Sequence, residues 1–124
     1  MLIGGYAVGY YGYPRATNNI DFWVEINPKN AKKISKTFIE FGLPKEEVAD
    51  SLFLEANIVR MGFPPIRIEI LTEISGIEFA KCYQESKIIE LDKTKVRIIS
   101  LKDLKKNKKA SGRYKDLDDL ENLP

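Results

Sequence analysis

Ile20-Asp21-Phe22-Trp23-Val24-Glu25-Ile26 decides the fold class. Apolar side chains at Ile20, Phe22, Val24 and Ile26 alternate with Asp21, Trp23 and Glu25, which is the period-two signature of a β-strand. Asp21 therefore points away from the face that carries Ile20 and Phe22. The next residues change the period. Asn27-Pro28 reads as a helix start, with Asn27 as N-cap and Pro28 in the first turn, and Ala31, Ile34, Phe38 and Phe41 follow at helical spacing. Gly42 ends that helix, and Leu43-Pro44 opens a shorter one to about Ser51.

Upstream, Met1-Leu2-Ile3-Gly4-Gly5-Tyr6-Ala7-Val8 reads as the end of a buried strand, a Gly-Gly turn and a short helix to about Tyr11. Gly12-Tyr13-Pro14-Arg15 breaks it, because Pro14 lacks an amide donor and pushes Tyr13 out of the helical region. A strand of Leu2 and Ile3 is shorter than the roughly 5–6 residues typical of one, so native sequence ahead of Met1 is expected to complete it. Downstream, Asn57–Met61 and Ile66–Leu71 read as strands around Gly62-Phe63-Pro64-Pro65. Gly76–Tyr83 reads as a short helix, and Lys87–Leu91 and Lys95–Ile99 as a hairpin around Asp92-Lys93-Thr94. Ser100 caps a helix that Gly112 interrupts, and Tyr114–Leu123 forms a last helix with Leu117, Leu120 and Leu123 on one side. The expectation is one α/β or α+β domain over residues 1–124, a mixed sheet of about five strands covered by helices.

Composition narrows the chemistry. Twenty Lys and Arg against eighteen Asp and Glu leave +2 over 124 residues. Residues 1–99 carry thirteen of each sign, and residues 100–124 carry seven basic against five acidic, so the excess sits at the C-terminal end. With no His and one Cys, Cys82, there is no His-based triad, no Cys-His pair and no internal disulfide. Any metal would be a hard cation held by oxygens, Mg2+ or Mn2+. No apolar run reaches the roughly 20 residues of a membrane span, and no secretory leader pattern is visible, so a cytoplasmic location is expected. A plain nucleic-acid binder fits poorly, because +2 is small and no basic-aromatic strand motif is present.

Three features converge on one site. Gly4-Gly5 follows apolar residues and opens a helix, where backbone amides could face a phosphate. Asn19 and Asp21 lie two apart on a strand and project to one face. Glu69 sits between Ile68 and Ile70, an unusual place for a carboxylate unless it has a partner or faces a cleft.

Together these residues resemble the nucleotidyltransferase superfamily, in particular small bacterial nucleotidyltransferase-like proteins of toxin–antitoxin and phage-abortive systems. The resemblance runs through Gly4–Val8, Gly12–Thr17, Asn19–Val24, Arg67–Leu71, Lys108–Arg113, Lys115–Leu117 and Asp119-Leu120, nearly the whole chain. It implies metal-dependent transfer of a nucleoside monophosphate from a nucleoside triphosphate to a hydroxyl of a protein or tRNA acceptor. In that family two divalent cations hold the attacking and leaving oxygens of an in-line displacement. Carried over, Gly4 and Gly5 match the phosphate turn, Asp21 the second acid of the metal-binding pair, and Glu69 the third carboxylate. Asp21 and Glu69 are the catalytic candidates and, with Asn19, the metal candidates. Arg15, Lys108 and Arg113 are candidates for the nucleotide's phosphates.

Asn19 departs from the pattern, because an amide oxygen stands where the family places the first acid. That leaves open a nucleotide binder without turnover, an introduced Asp→Asn change, or an enzyme that recruits another ligand. Glu25 shares Asp21's face but lies about 13 Å along the strand. The alternative function is a non-catalytic toxin–antitoxin-type interaction module that binds a protein or tRNA through its basic C-terminal end. Plainer roles compete at single residues: Arg67 could pair with Glu69 structurally, and Tyr6, Tyr10, Tyr11 and Tyr13 could fill a core instead of stacking on a base. Cys82 is expected to pack as a small apolar residue. A short first strand would leave an edge for a second chain, which admits an oligomer.

Overall fold

Leu2 and Ile3, the shortest strand, lie at the centre of the sheet. The computed structural model describes residues 1–63 and 66–124. Six strands among them form one mixed sheet: β1 Leu2–Ile3, β2 Asn19–Trp23, β3 Ile58–Phe63, β4 Ile66–Leu71, β5 Lys87–Leu91 and β6 Thr94–Ile98. Their order across the sheet is β3-β4-β2-β1-β6-β5. The sheet is mixed as expected, with six strands against the expected number of about five. β1 pairs antiparallel with β2 and parallel with β6, and both of its side chains are buried. With neighbours on both sides, β1 is not an exposed edge. The edges are β3 and β5.

Five α-helices accompany the sheet: α1 Gly4–Tyr10, α2 Pro28–Glu40, α3 Phe79–Glu85, α4 Leu101–Ser111 and α5 Tyr114–Asn122. Asn27 caps α2 as expected, its side-chain oxygen accepting from the Asn30 amide at 2.8 Å. That cap also ends β2 early. Asn27 Nδ2 donates to the Glu25 carboxylate and Asn30 Nδ2 to the Glu25 carbonyl, which draws residues 25–27 out of the sheet instead of extending the strand to Ile26. The segment after Gly42 forms two 3-10 turns, Lys45–Glu47 and Asp50–Phe53, in place of one short helix.

Ser100 caps α4 and Gly112 ends it in the left-handed region, both as expected. The β5–β6 turn places Asp92 and Lys93 at positive φ, the geometry that matches strand twist in a two-residue hairpin loop. α3 begins at Phe79 instead of Gly76. Gly76 has φ +80, and a Cβ there would stand 2.4 Å from the Ala110 side chain, so it serves as a close approach to α4. Pro64 and Pro65 of the expected β3–β4 connection lie outside the described residues.

Two apolar clusters hold these elements. One joins Leu2, Ile3, Ala7, Val8, Trp23, Cys82, Ile98, Ile99 and Leu104, so Cys82 packs as a small apolar residue. The other seats Ala31 and Phe38 of α2 with Val48 and Phe53 against Ile70 of β4, with Phe22 and Ile68 at its margin. Phe41, expected on the buried stripe of α2, is 75% exposed, because the helix ends at Glu40 and leaves it as the C-cap, while Ser35 is buried and donates to the Val48 carbonyl at 2.5 Å. The second cluster fixes the orientation of β2 and β4. With Phe22 and Ile70 turned toward α2, the alternate residues face the other side of the sheet.

Candidate functional site

β2 and β4 run parallel, and their register sets Asp21 directly beside Glu69 and Asn19 beside Arg67. Asp21 and Glu69 therefore share the face opposite α2 and border one cleft of about 370 Å³. Gly4 closes its floor. It has φ +67, and a Cβ on it would stand 2.2 Å from Asp21 Oδ2, so only glycine lets the turn approach that carboxylate. A Cβ on Gly5 points instead toward Thr17 at 3.0 Å and Arg15 at 3.3 Å.

Asp21 is held in an unusual state for a surface-strand acid. Its Oδ1 is buried with no hydrogen-bond partner among the described residues. Burial, followed by the neighbouring Glu69 carboxyl group, pushes its carboxyl up to about 6 against the opposing pull of Lys115 and Lys108. Glu69 Oε1 accepts from Arg60 Nε at 2.9 Å, and the nearest Arg67 nitrogen lies 3.7 Å from the same oxygen. Arg60, its register partner on β3, is the nearer partner of Glu69, and Arg67 pairs with it at the longer distance.

Arg67 also reaches the metal candidate Asn19, its Nε donating to Asn19 Oδ1 at 2.6 Å. Glu25 is exposed and lies beyond the end of β2, so it does not stand in for Asn19. Among the described residues no group of three or more His, Cys, Asp or Glu side chains is arranged to hold a metal. Asp21, Glu69 and Glu73 are the carboxylates that line the cleft, and oxygen donors of this kind are the ones that could hold a hard divalent cation such as Mg2+ or Mn2+.

The opposite wall is cationic. Arg15, Lys108 and Arg113, drawn from three separate segments, all border the cleft, and each is tied to a buried carboxylate of α5. Lys108 Nζ lies 3.2 Å from Asp116 and 3.0 Å from Asp119. Arg15 grips both oxygens of Asp119 at 2.6 and 2.7 Å, and Arg113 grips Asp116 through Nε at 2.7 Å. Burial tends to raise the Asp116 carboxyl, yet Arg113 and Lys108 outweigh it and bring it down to about 2. Arg15, Arg60, Lys108, Arg113 and Lys115 line the cleft with Asp21, Glu69 and Glu73, so its lining is more basic than acidic.

The expected apolar side of α5 holds at Leu123, which is buried in the core, and fails at Leu117. Asp116 and Asp119 are 1% and 0% exposed, whereas Leu117 is 46% exposed. Asp116 and Asp119 stand three residues apart and were as good a helical stripe as the leucines. Only their cationic partners, distant in sequence, make burial tolerable. Arg60, Lys115 and Asn107 also border the cleft without having been anticipated there. Among the four tyrosines near α1, Tyr11 donates to the Ile99 carbonyl at 2.6 Å and Tyr13 to Asp118 at 2.9 Å, which assigns both to structure. Tyr6 and Tyr10 remain half-exposed.

Neither a protein family model nor a curated protein sequence matches this chain. No helix among the described residues is long and apolar enough to cross a membrane.

Proposed function

We propose that the cleft binds a nucleoside triphosphate together with Mg2+ or Mn2+ and transfers its nucleoside monophosphate to a hydroxyl of a protein or tRNA acceptor. The observation that carries this reading is the pairing of Asp21 with Glu69 across parallel strands, opposite a wall of Arg15, Lys108 and Arg113. A cation held by the two carboxylates would draw charge off the reacting phosphate. Arg15, Lys108 and Arg113 supply the matching positive charge, and their anchoring to Asp116 and Asp119 fixes it in place before any ligand arrives.

In the transfer, the acceptor oxygen forms a bond to the α-phosphorus, the bond from that phosphorus to the bridging oxygen breaks, and pyrophosphate leaves. The acceptor proton needs a base, and with no His the side chains of the cleft that could take it are the carboxylates Asp21 and Glu69. The reading includes a nucleotidyltransferase-type fold, a cytoplasmic setting and a role of the toxin–antitoxin kind. The test is transfer of α-labelled nucleotide to protein and tRNA acceptors with Mg2+. Asp21→Ala should abolish transfer, and a chain that binds no triphosphate ends the proposal.

The second reading is a non-catalytic interaction module that retains the cleft. Asn19 favours it, because an uncharged amide stands where the resemblance places an acid, and its oxygen accepts from Arg67. It predicts capture of a protein or tRNA partner with no dependence on triphosphate or divalent cation.

A further inference from the structure

We infer that Lys115 is a phosphate-binding cation of the cleft, and that Lys108, given that part by the resemblance, serves the wall as a buried counter-charge without meeting the ligand. This rests on the nucleotidyltransferase reading of the same site. Helix chemistry makes an unpaired Lys115 unexpected. Asp118 and Asp119 lie three and four residues on, where a helical lysine ordinarily finds its acid. The fold turns both elsewhere. Asp118 accepts from Tyr13 at 2.9 Å and from Asn122 at 3.4 Å, while Asp119 is held by Arg15 and Lys108. Lys115 is exposed, borders the cleft, and makes no hydrogen bond or ion pair among the described residues.

Its charge acts where the phosphates would lie. Gly112 ends α4 at φ +64, and the chain beyond it carries Arg113 and Lys115 to the cleft while Tyr114 between them stands 94% exposed. Of the two lysines that oppose the raised Asp21 carboxyl, Lys115 exerts the larger pull. The charges of Asp21 and Glu69 in turn reach Arg113, whose side chain is 73% exposed.

Lys108 is the opposite case. Its side chain is 6% exposed, and its Nζ stands between Asp116 at 3.2 Å and Asp119 at 3.0 Å, both almost wholly buried. An ammonium so placed offers a ligand almost no surface, and two carboxylates already offset its charge. Neither limit applies to Lys115, whose flexible stem lets the ammonium follow a phosphate chain.

Calorimetry of the full chain with a non-hydrolysable nucleoside triphosphate, and separately with inorganic tripolyphosphate, reads the role of Lys115. Lys115→Gln should weaken both about tenfold at an unchanged melting temperature, Lys115→Arg should restore most of the affinity, and the loss should shrink as salt is raised. If the parent chain binds triphosphate and Lys115→Gln binds it equally well, the inference is overturned and the nucleotidyltransferase reading stands. A parent chain that binds tripolyphosphate through Lys115 but transfers no nucleotide upholds the inference and removes that reading. A parent chain that binds neither removes both. Amine acylation read by mass spectrometry tests Lys108 without a variant: triphosphate should protect Lys115, and Lys108 should stay unmodified with or without it. A Lys108 that is acylated in the free chain and protected alongside Lys115 overturns the part given to it.

Discussion

Lys108 Nζ stands 3.0 Å from Asp119 Oδ2, and both side chains are almost wholly withdrawn from water, at 6% and 0% exposure. The same carboxylate holds both the Nε and a terminal nitrogen of Arg15, so Asp119 ties the loop ahead of β2 to α4 through α5. Removing one member of such a buried group leaves charge without a partner. Asp119→Ala should cost about 3 kcal/mol, read as a shift in the urea unfolding midpoint at unchanged slope. Arg60→Gln, which breaks a pair whose cation is 54% exposed, should cost less than about 1 kcal/mol.

Gly4→Ala should impair the cleft more than a methyl group ordinarily would. The left-handed backbone alone costs about 1–2 kcal/mol for a non-glycine residue. The added carbon would also press on Asp21 Oδ2. Loss of Mg2+-dependent triphosphate affinity beyond the loss of stability, measured by calorimetry beside thermal unfolding, is the expected outcome. Gly112→Ala, at φ +64 and with an ordinary 3.8 Å contact at its Cβ position, tests the backbone contribution alone.

Asp21 makes the chain less stable as the pH rises. Its carboxyl is raised from 3.8 to about 6 in the folded chain, so between those values the folded form keeps a proton that the unfolded form has released. Stability attributable to Asp21 is therefore present below pH 4 and lost through pH 6. Without divalent cations, Asp21→Asn should melt above the parent chain at pH 8, and the gap should close near pH 4. Adding Mn2+ should raise the melting temperature of the parent chain and not of the variant.

Asp116 acts in the opposite sense. Its carboxyl is lowered from 3.8 to about 2, so its contribution is present above pH 4 and lost as the pH falls toward 2. Asp116→Asn should flatten the acid limb of the stability profile, followed by circular dichroism from pH 5 to pH 2.

The two leucine positions of the C-terminal helices should separate sharply. Leu104 of α4 is fully buried and Leu117 of α5 is 46% exposed. Leu104→Ala should cost about 2–5 kcal/mol in denaturant unfolding, and Leu117→Ala should fall within about 0.5 kcal/mol of the parent chain.

Much of the local structure could be read from residue order because it depends on neighbours in the chain. The Asn27 and Ser100 caps, the Gly112 helix end and the β5–β6 turn each rest on contacts within a few residues. So does the alternation that turns Asp21 away from Phe22. Failures occurred where distant segments compete. Phe41 fits an apolar stripe by spacing but lies past the region that α2 buries, and the strand through Val24 to Ile26 gives way to the side-chain bonds around Glu25.

The candidate site divides along the same line. Which residues are acidic, amide or cationic, and the absence of any imidazole, is written in the chain and restricts the chemistry to oxygen ligands, guanidiniums and ammoniums. Which of them meet was settled by sheet register and helix docking. Strand pairing put Asp21 beside Glu69 and gave Asn19 to Arg67, while the fold of α5 buried two aspartates to hold Arg15, Lys108 and Arg113. Residue identity fixes what a side chain can bond. Its partner is decided by whichever of several competing groups the folded backbone brings within about 3 Å, a distance that spacing along the chain does not encode.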